Sequence, residues 1–298
     1  MAALLIAGGV TPTNVALERA CAAVGVRSRV LPPEVAARRV RPDELVLGRL
    51  DVLPSLDGVE RGLGALARLE ERGLFVLNGP AALRAAHDKL TTAQALWEAG
   101  VPHPPTVGLA PGEDGCGLEP PYVVKPRFGA SGEDVFRCET REELKRTLAG
   151  LEGRAWYRRH GALVQTFVPN GGVDLGVVVA GRLVVGAAAR VAAPGEWRTS
   201  TALGGRLKRL GPDRAAAALA LDAVAAVGGD LMAVDLVPAG DGYVVLEVDG
   251  CLELAREHSL DSGDVYRESV LALVLAALSS ATRLGAPLDA PRLAPDGS

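Results

Sequence analysis

Lys125-Pro126-Arg127-Phe128-Gly129-Ala130-Ser131-Gly132, read together with Asp235 and with Glu247-Val248-Asp249 further along, decides how this chain folds. A lysine ends a predicted strand, residues 122–125, and runs straight into a loop of small residues. Gly and Ala let backbone N–H groups approach a phosphate closely, and the lysine adds a point charge. The loop is not a Walker A loop, since GxxxxGK[ST] is absent. A solvated lysine beside a glycine turn is the alternative these residues leave open.

The second half of the pattern is acidic. Residues 231–237 and 243–248 read as a hairpin turning through Pro238-Ala239-Gly240-Asp241-Gly242. With that turn Val237 faces Tyr243 and Asp235 faces Val245, so alternation puts Asp235, Glu247 and Asp249 on one face, Glu247 diagonal to Asp235. Three carboxylates among Val and Leu repel one another and are costly to desolvate. A hard cation removes the conflict, and Mg²⁺ takes oxygen ligands while leaving room for phosphate oxygens. Solvent-facing carboxylates are the alternative, and a shift of one residue in the turn flips the parity.

Working outward, residues 3–7 read as a buried strand, Gly8-Gly9 as a tight turn and 13–24 as a helix. Further strands are predicted at 45–47 and 74–77 with a helix at 62–71 between them, so strands alternating with helices imply a small parallel sheet. A single helix is predicted over 87–99, stopped by Gly100 and the Pro102/Pro104/Pro105 cluster. After a Pro/Gly-rich loop at 110–120 come the 122–125 strand, a strand at 135–137 and a helix opened by Thr140 and Glu143 as a capping box. Strands at 163–168, 174–180 and 182–190 follow, then helices at 213–227 and about 264–280. The fold class is α/β: an N-terminal parallel α/β domain over 1–86, then 87–298 with mostly antiparallel lobes at about 120–168 and 169–285.

Composition narrows the function. The 298 residues are 48% hydrophobic, enough for two compact domains. With 36 acidic against 32 basic side chains the net charge is −4, which argues against nucleic acid, whose phosphates call for a concentrated basic surface. Arginines gather between Arg38 and Arg72, read as a solvated surface, with a local patch for an acidic small molecule as the alternative. The four cysteines show no CxxC and no metal spacing, so a reducing, cytoplasmic setting is expected. The opening residues lack a cationic n-region, and the apolar run 270–278 is too short for a bilayer span. None of the four histidines has a partner at catalytic spacing, so each is read as structural or surface.

The order of these motifs resembles the ATP-grasp superfamily, and further matches resemble its RimK-like branch of carboxylate–amine ligases. His87-Asp88-Lys89-Leu90, followed by Gly100-Val101-Pro102-His103-Pro104, is similar to the branch's entry motif, whose lysine reaches nucleotide phosphate. Gln165-Thr166-Phe167-Val168 is similar to the hinge strand whose backbone reads adenine; Asp174 matches an aspartate just beyond it. Arg190 matches an arginine ending the next hairpin, and Trp197-Arg198 an aromatic–Arg pair ahead of Gly204-Gly205. Glu247-Val248-Asp249-Gly250 resembles the "EVN" metal motif, with Asp249 where Asn is usual. Thr166 stands where Glu is usual, Gly176 and Ser200 where Arg and Asn are usual, and Gly250-Cys251-Leu252-Glu253 where the branch has "ASPG". Those last departures lie towards the acceptor.

The resemblance implies an ATP-grasp fold and an enzyme that forms an amide through an acyl phosphate, often adding glutamate to a small molecule, peptide or carrier protein. It implies that ATP is held by Lys89, Lys125, Gly129, Ala130, Ser131, Gly132, Gln165, Thr166, Phe167, Val168 and Asp174. It implies Mg²⁺, or Mn²⁺, on Asp235, Glu247 and Asp249, catalytic roles for Arg190 and Arg198, and a homo-oligomer. A phosphotransferase acting on a hydroxyl and a nucleotide-binding protein without turnover are the competing expectations.

Overall fold

The structure is a computed structural model and describes residues 3–283. Residues 284–298, including the last two of the expected C-terminal lobe, lie outside the described residues. The first layer comprises strands β1 (Ala3–Gly8), β2 (Arg27–Leu31), β3 (Glu44–Arg49) and β4 (Val76–Leu77) with helices α1 (Pro12–Ala23), α2 (Pro33–Arg39), α3 (Leu63–Glu71) and α4 (Pro80–His87). These strands form a parallel sheet in the order β2-β1-β3-β4. Every residue of β1 and β3 is buried, as a parallel strand covered on both faces requires. β2 and α2 escaped the sequence reading because Arg27-Ser28-Arg29 breaks the apolar run and β2 sits at the sheet edge.

The second layer comprises α5 (Lys89–Glu98), β5 (Thr106–Leu109), β6 (Tyr122–Lys125), β7 (Phe136–Cys138), α6 (Arg141–Gly150), α7 (Ala155–His160) and β8 (Ala162–Thr166). Its sheet is antiparallel, in the order β5-β8-β6-β7. Tyr122, Val124, Trp156, Tyr157 and Val164 form its own core, which among the described residues of the N-terminal layer takes in Leu56 alone. The third layer holds β9 (Val173–Ala180), β10 (Leu183–Val191), β11 (Arg206–Arg209), α8 (Arg214–Val227), β12 (Leu231–Ala239), β13 (Gly242–Asp249) and α9 (Val265–Arg283). Its antiparallel order is β11-β10-β9-β12-β13. One core joins Leu4, Ile6 and Leu17 of the first layer to Val178, Leu231 and Leu273 of the third. The first and third layers are thus one packed body, against which the second presents a separate core. No helix among the described residues is long and apolar enough to cross a membrane.

Four local expectations are corrected. The helix expected at 87–99 is α5, which starts only at Lys89: His87 ends α4, and Asp88 between them has an extended backbone (φ −89°, ψ 95°). Asp88 caps α5 and is itself gripped by Arg127, whose Nε and Nη2 donate to its two oxygens at 2.6 Å each. The strand expected at 163–168 leaves the ladder after Thr166, where its neighbour β6 has ended and Pro121 has no N–H to offer. Phe167 instead donates to the Pro121 carbonyl at 2.9 Å. The capping box is only half formed: Thr140 accepts from the Glu143 N–H at 3.2 Å, but the Glu143 carboxylate takes the N–H of Glu139 rather than that of Thr140.

The fourth correction concerns the acidic hairpin. The chain turns at Gly240 (φ 56°) and Asp241, so Ala239 pairs with Gly242 and Val237 with Val244, one residue off the expected register. Left alone, that shift would put Asp235 opposite Leu246 and turn the carboxylates to different faces. A bulge at Leu246 restores the parity: Leu236 pairs with Val245, but Asp235 pairs with Glu247. The two acids are therefore directly opposed rather than diagonal.

Candidate active site

The break at Asp88 aims Lys89 into the space between the second and third layers. Its ammonium donates to the Gly129 carbonyl at 2.5 Å and to Glu247 Oε1 at 2.6 Å, tying the small-residue loop to the acidic hairpin. Lys125 ends β6, buried, and donates to Gln165 Oε1 at 2.9 Å on the neighbouring strand β8. Burial, with the nearby Lys89 charge, pulls the Lys125 ammonium down to about 8. Both lysines line a cavity of about 390 Å³ that also takes in the 129–132 loop.

That loop is fixed from two sides. Ser131 and Gly132 both lie in the left-handed region, at φ 59° and 75°. The Ser131 carbonyl accepts from the Ser200 hydroxyl at 2.9 Å, and the Gly132 carbonyl from Arg198 Nη1 at 3.0 Å. Arg198 is anchored by Glu196, whose carboxylate accepts from its Nε at 3.0 Å and its Nη2 at 2.8 Å. Those bonds hold the Glu196 carboxyl down at about 2. Phe167, just past β8, packs edge-on against Trp197 with ring centroids 5.7 Å apart, and the Arg137 guanidinium lies 4.1 Å from its ring centre. Aromatic surface thus lies beside Gln165–Val168, with a cation against the Phe167 ring, and an aromatic face is suited to stacking a planar base.

Across the cavity, Arg190 on β10 forms a fork with Asp174 on β9, at 2.8 and 2.9 Å, and reaches Asp235 on β12 at 2.5 Å. Thr199 also donates to Asp174, so both oxygens of that carboxylate are engaged within the protein. Burial pushes the Asp235 carboxyl up to about 7 while the Arg190 guanidinium opposes it, and the short ion pair is the geometry of a carboxylate. Burial also acts on Glu247, but Lys89 and Lys125 outweigh it and hold that carboxyl below its usual value. The opposed acids are thus each neutralised by a cation from another element.

Of the three expected metal ligands, the structure brings together two. Asp249 lies on the same face but its Oδ1 accepts from the Cys251 N–H at 2.8 Å. Among the described residues no group of three or more His, Cys, Asp or Glu side chains converges as a cation site. The Asp235–Glu247 pair still fits a hard divalent cation, because Mg²⁺ is commonly held by one or two carboxylates plus water and phosphate oxygens.

All the expected site residues line this cavity. The sequence reading missed Asp51, Glu196 and Thr199, which also line the cleft or position those that do. Asp51 had a signal: it follows the carboxyl end of a buried parallel strand, the edge where α/β sheets bind ligands. His87 and His258 are both buried, and His258 also lines the cleft.

A family model for the RimK-like ATP-grasp domain matches residues 86–263. The chain is 32% identical over 220 residues to a probable alpha-L-glutamate ligase of Sodalis glossinidius (strain morsitans), covering 71% of each protein. It is 27% identical over 268 residues to the tetrahydromethanopterin:alpha-L-glutamate ligase of Methanosarcina acetivorans, covering 78% of this chain and 82% of that one. Among solved structures, a RimK domain ATP-grasp protein from Sphaerobacter thermophilus superposes with a TM-score of 0.62 at 21% identity, covering 92% of this chain and all of that one. The opposed carboxylates, the two cleft lysines and these matches lead to one conclusion: the chain belongs to the RimK-like ATP-grasp family and is an ATP-dependent carboxylate–amine ligase.

Proposed function

We propose that the cleft joins an amino acid, with glutamate the first choice, to a carboxylate substrate by way of an acyl phosphate. In the first step a carboxylate oxygen attacks the γ-phosphorus of ATP and the bond to ADP breaks. In the second the amine nitrogen attacks the acyl carbon, phosphate leaves, and the amine's proton passes to water. The observation that carries this reading is the opposed pair Asp235 and Glu247, each bonded to a cation from another element, Arg190 and Lys89. The choice of glutamate is supported by the relatives named as glutamate ligases.

Lys89 and Lys125 hold phosphate oxygens, the 129–132 loop covers them, and the backbone of Gln165–Val168 reads adenine beside Phe167. Asp174 serves this site by fixing Arg190. Mg²⁺, for which Mn²⁺ can substitute, would be held by Asp235 and Glu247 with Asp249 beside them, and supplies neutralisation of the triphosphate charge. Arg190 and Arg198 line the same cavity and stabilise charge on the acyl oxygen, a task their planar forks suit.

Measuring ADP release against a panel of carboxylates and amines tests the proposal. Release that requires both a carboxylate and glutamate supports it. Release with an alcohol alone makes the protein a phosphotransferase, and ATP binding without release under any pairing makes it a silent nucleotide binder.

A further inference from the structure

Arg49, the last residue of β3, is 1% exposed, yet no carboxylate lies within ion-pair range of its guanidinium among the described residues. A buried cation without an acid partner is costly, and an apolar side chain of the same volume would pack the layers more cheaply. What the guanidinium does instead is grip neutral oxygens, one side-chain amide and two backbone carbonyls. Its Nε donates to Asn14 Oδ1 at 3.0 Å, Nη1 to the Gly250 carbonyl at 3.4 Å and Nη2 to the Leu252 carbonyl at 2.6 Å.

Its neighbours in the first layer hold the same segment. Asn78, wholly buried with φ 49°, donates to the Gly250 carbonyl at 3.3 Å and to the Leu231 carbonyl at 2.8 Å. Its Oδ1 accepts from the Asp230 and Leu231 N–H groups. Thr13 Oγ1 accepts from the Leu254 N–H at 2.9 Å and donates to Glu253 Oε2 at 2.8 Å. The segment 250–254 directly follows the acidic strand β13, and Asp249, Cys251, Leu252 and Glu253 line the cavity.

We infer that Arg49 is a positioning residue for the acceptor end of the cleft. By holding the carbonyls of Gly250 and Leu252, it fixes where the side chains of Asp249 and Glu253 face the reacting groups. The inference rests on the reading above, in which the cleft takes a carboxylate and an amine, and adds that they lie beside segment 250–254. None of the lysine, loop and hinge groups assigned to the nucleotide bonds to Arg49 directly, so the amine side is expected to feel its loss more than ATP does.

Arg49→Lys keeps the charge but replaces a three-pronged grip by a point charge on a shorter reach. The isosteric Thr13→Val removes one hydroxyl and serves where the lysine variant folds poorly. Each is measured by steady-state ADP release with the amine varied, by ATP calorimetry, and by hydrogen exchange of the 251–254 amides. Expected for Arg49→Lys is a loss of about 30-fold in kcat/KM for the amine, the order that a misplacement of an ångström or less brings, with ATP Kd within about twofold. Expected for Thr13→Val is a smaller loss, about tenfold, on the scale of one positioning hydrogen bond. Exchange at 251–254 rises while amides of the β12–β13 ladder keep their protection. Unchanged exchange and kcat/KM in either folded variant overturns the inference, as does a loss of ATP affinity in proportion to kcat/KM, which marks a merely structural residue. If the wild type turns over no carboxylate–amine pair, the functional reading fails, and the exchange measurement still decides whether Arg49 holds the segment.

Discussion

Lys125 links the burial of a charge to a measurable proton count. Its side chain is buried at the end of β6, with a neutral acceptor at 2.9 Å and the Lys89 ammonium nearby. Burial and Lys89 bring it from 10.5 down to about 8, so the free protein loses this charge as pH rises through about 8. A triphosphate beside it favours the ammonium and returns it to its ordinary range. Binding therefore takes up a proton, to an extent set by pH. At pH 8.5 a group of pKa about 8 is about three-quarters neutral, so ATP binding takes up about 0.7 proton, against about 0.1 at pH 7. The same linkage makes ATP affinity fall by about tenfold per pH unit above 8 until the bound-state value is reached. Calorimetry in two buffers of different ionisation enthalpy reads the uptake, and Lys125→Met isolates this lysine from the titration of ATP itself. An uptake at pH 8.5 that equals the one at pH 7, or that persists in Lys125→Met, removes Lys125 from the phosphate site.

Glu247→Gln breaks the 2.6 Å pair with Lys89 and the acid opposite Asp235, so turnover should fall by at least ~100-fold, the scale of losing one preorganised electrostatic contact. Asp249→Asn keeps an oxygen that can accept from Cys251 and should cost no more than about tenfold, at the lower end of outer-shell effects. Equal losses in steady-state ADP release would break the metal assignment. Arg198→Lys cannot keep both the Glu196 fork and the Gly132 contact, and turnover should drop by about 100-fold with ATP affinity within about twofold. Near-normal turnover in that variant would confine Arg198 to closing the loop.

The chain's local chemistry was legible from its order. β6 and its small-residue loop, the buried run of β1 and the acidic hairpin of β12 and β13 are each signalled within a few residues, by side-chain period and by turn chemistry. That was enough to place the family and to nominate the cleft lysines and acids. The break at Asp88 was not legible, because the fork that stabilises it comes from Arg127, 39 residues away. Nor was the pairing of the acids, since the tighter turn and the bulge at Leu246 shift the register twice and each signal alone points the wrong way. The Lys89–Glu247 contact spans 158 positions and the Arg49 grip on Leu252 spans 203. Propensity and alternation act over one or two turns of chain, so sequence fixes the elements and the chemistry they carry. Which cation neutralises which carboxylate depends on distance in space and on shared burial, and only the packed layers of the tertiary structure set those.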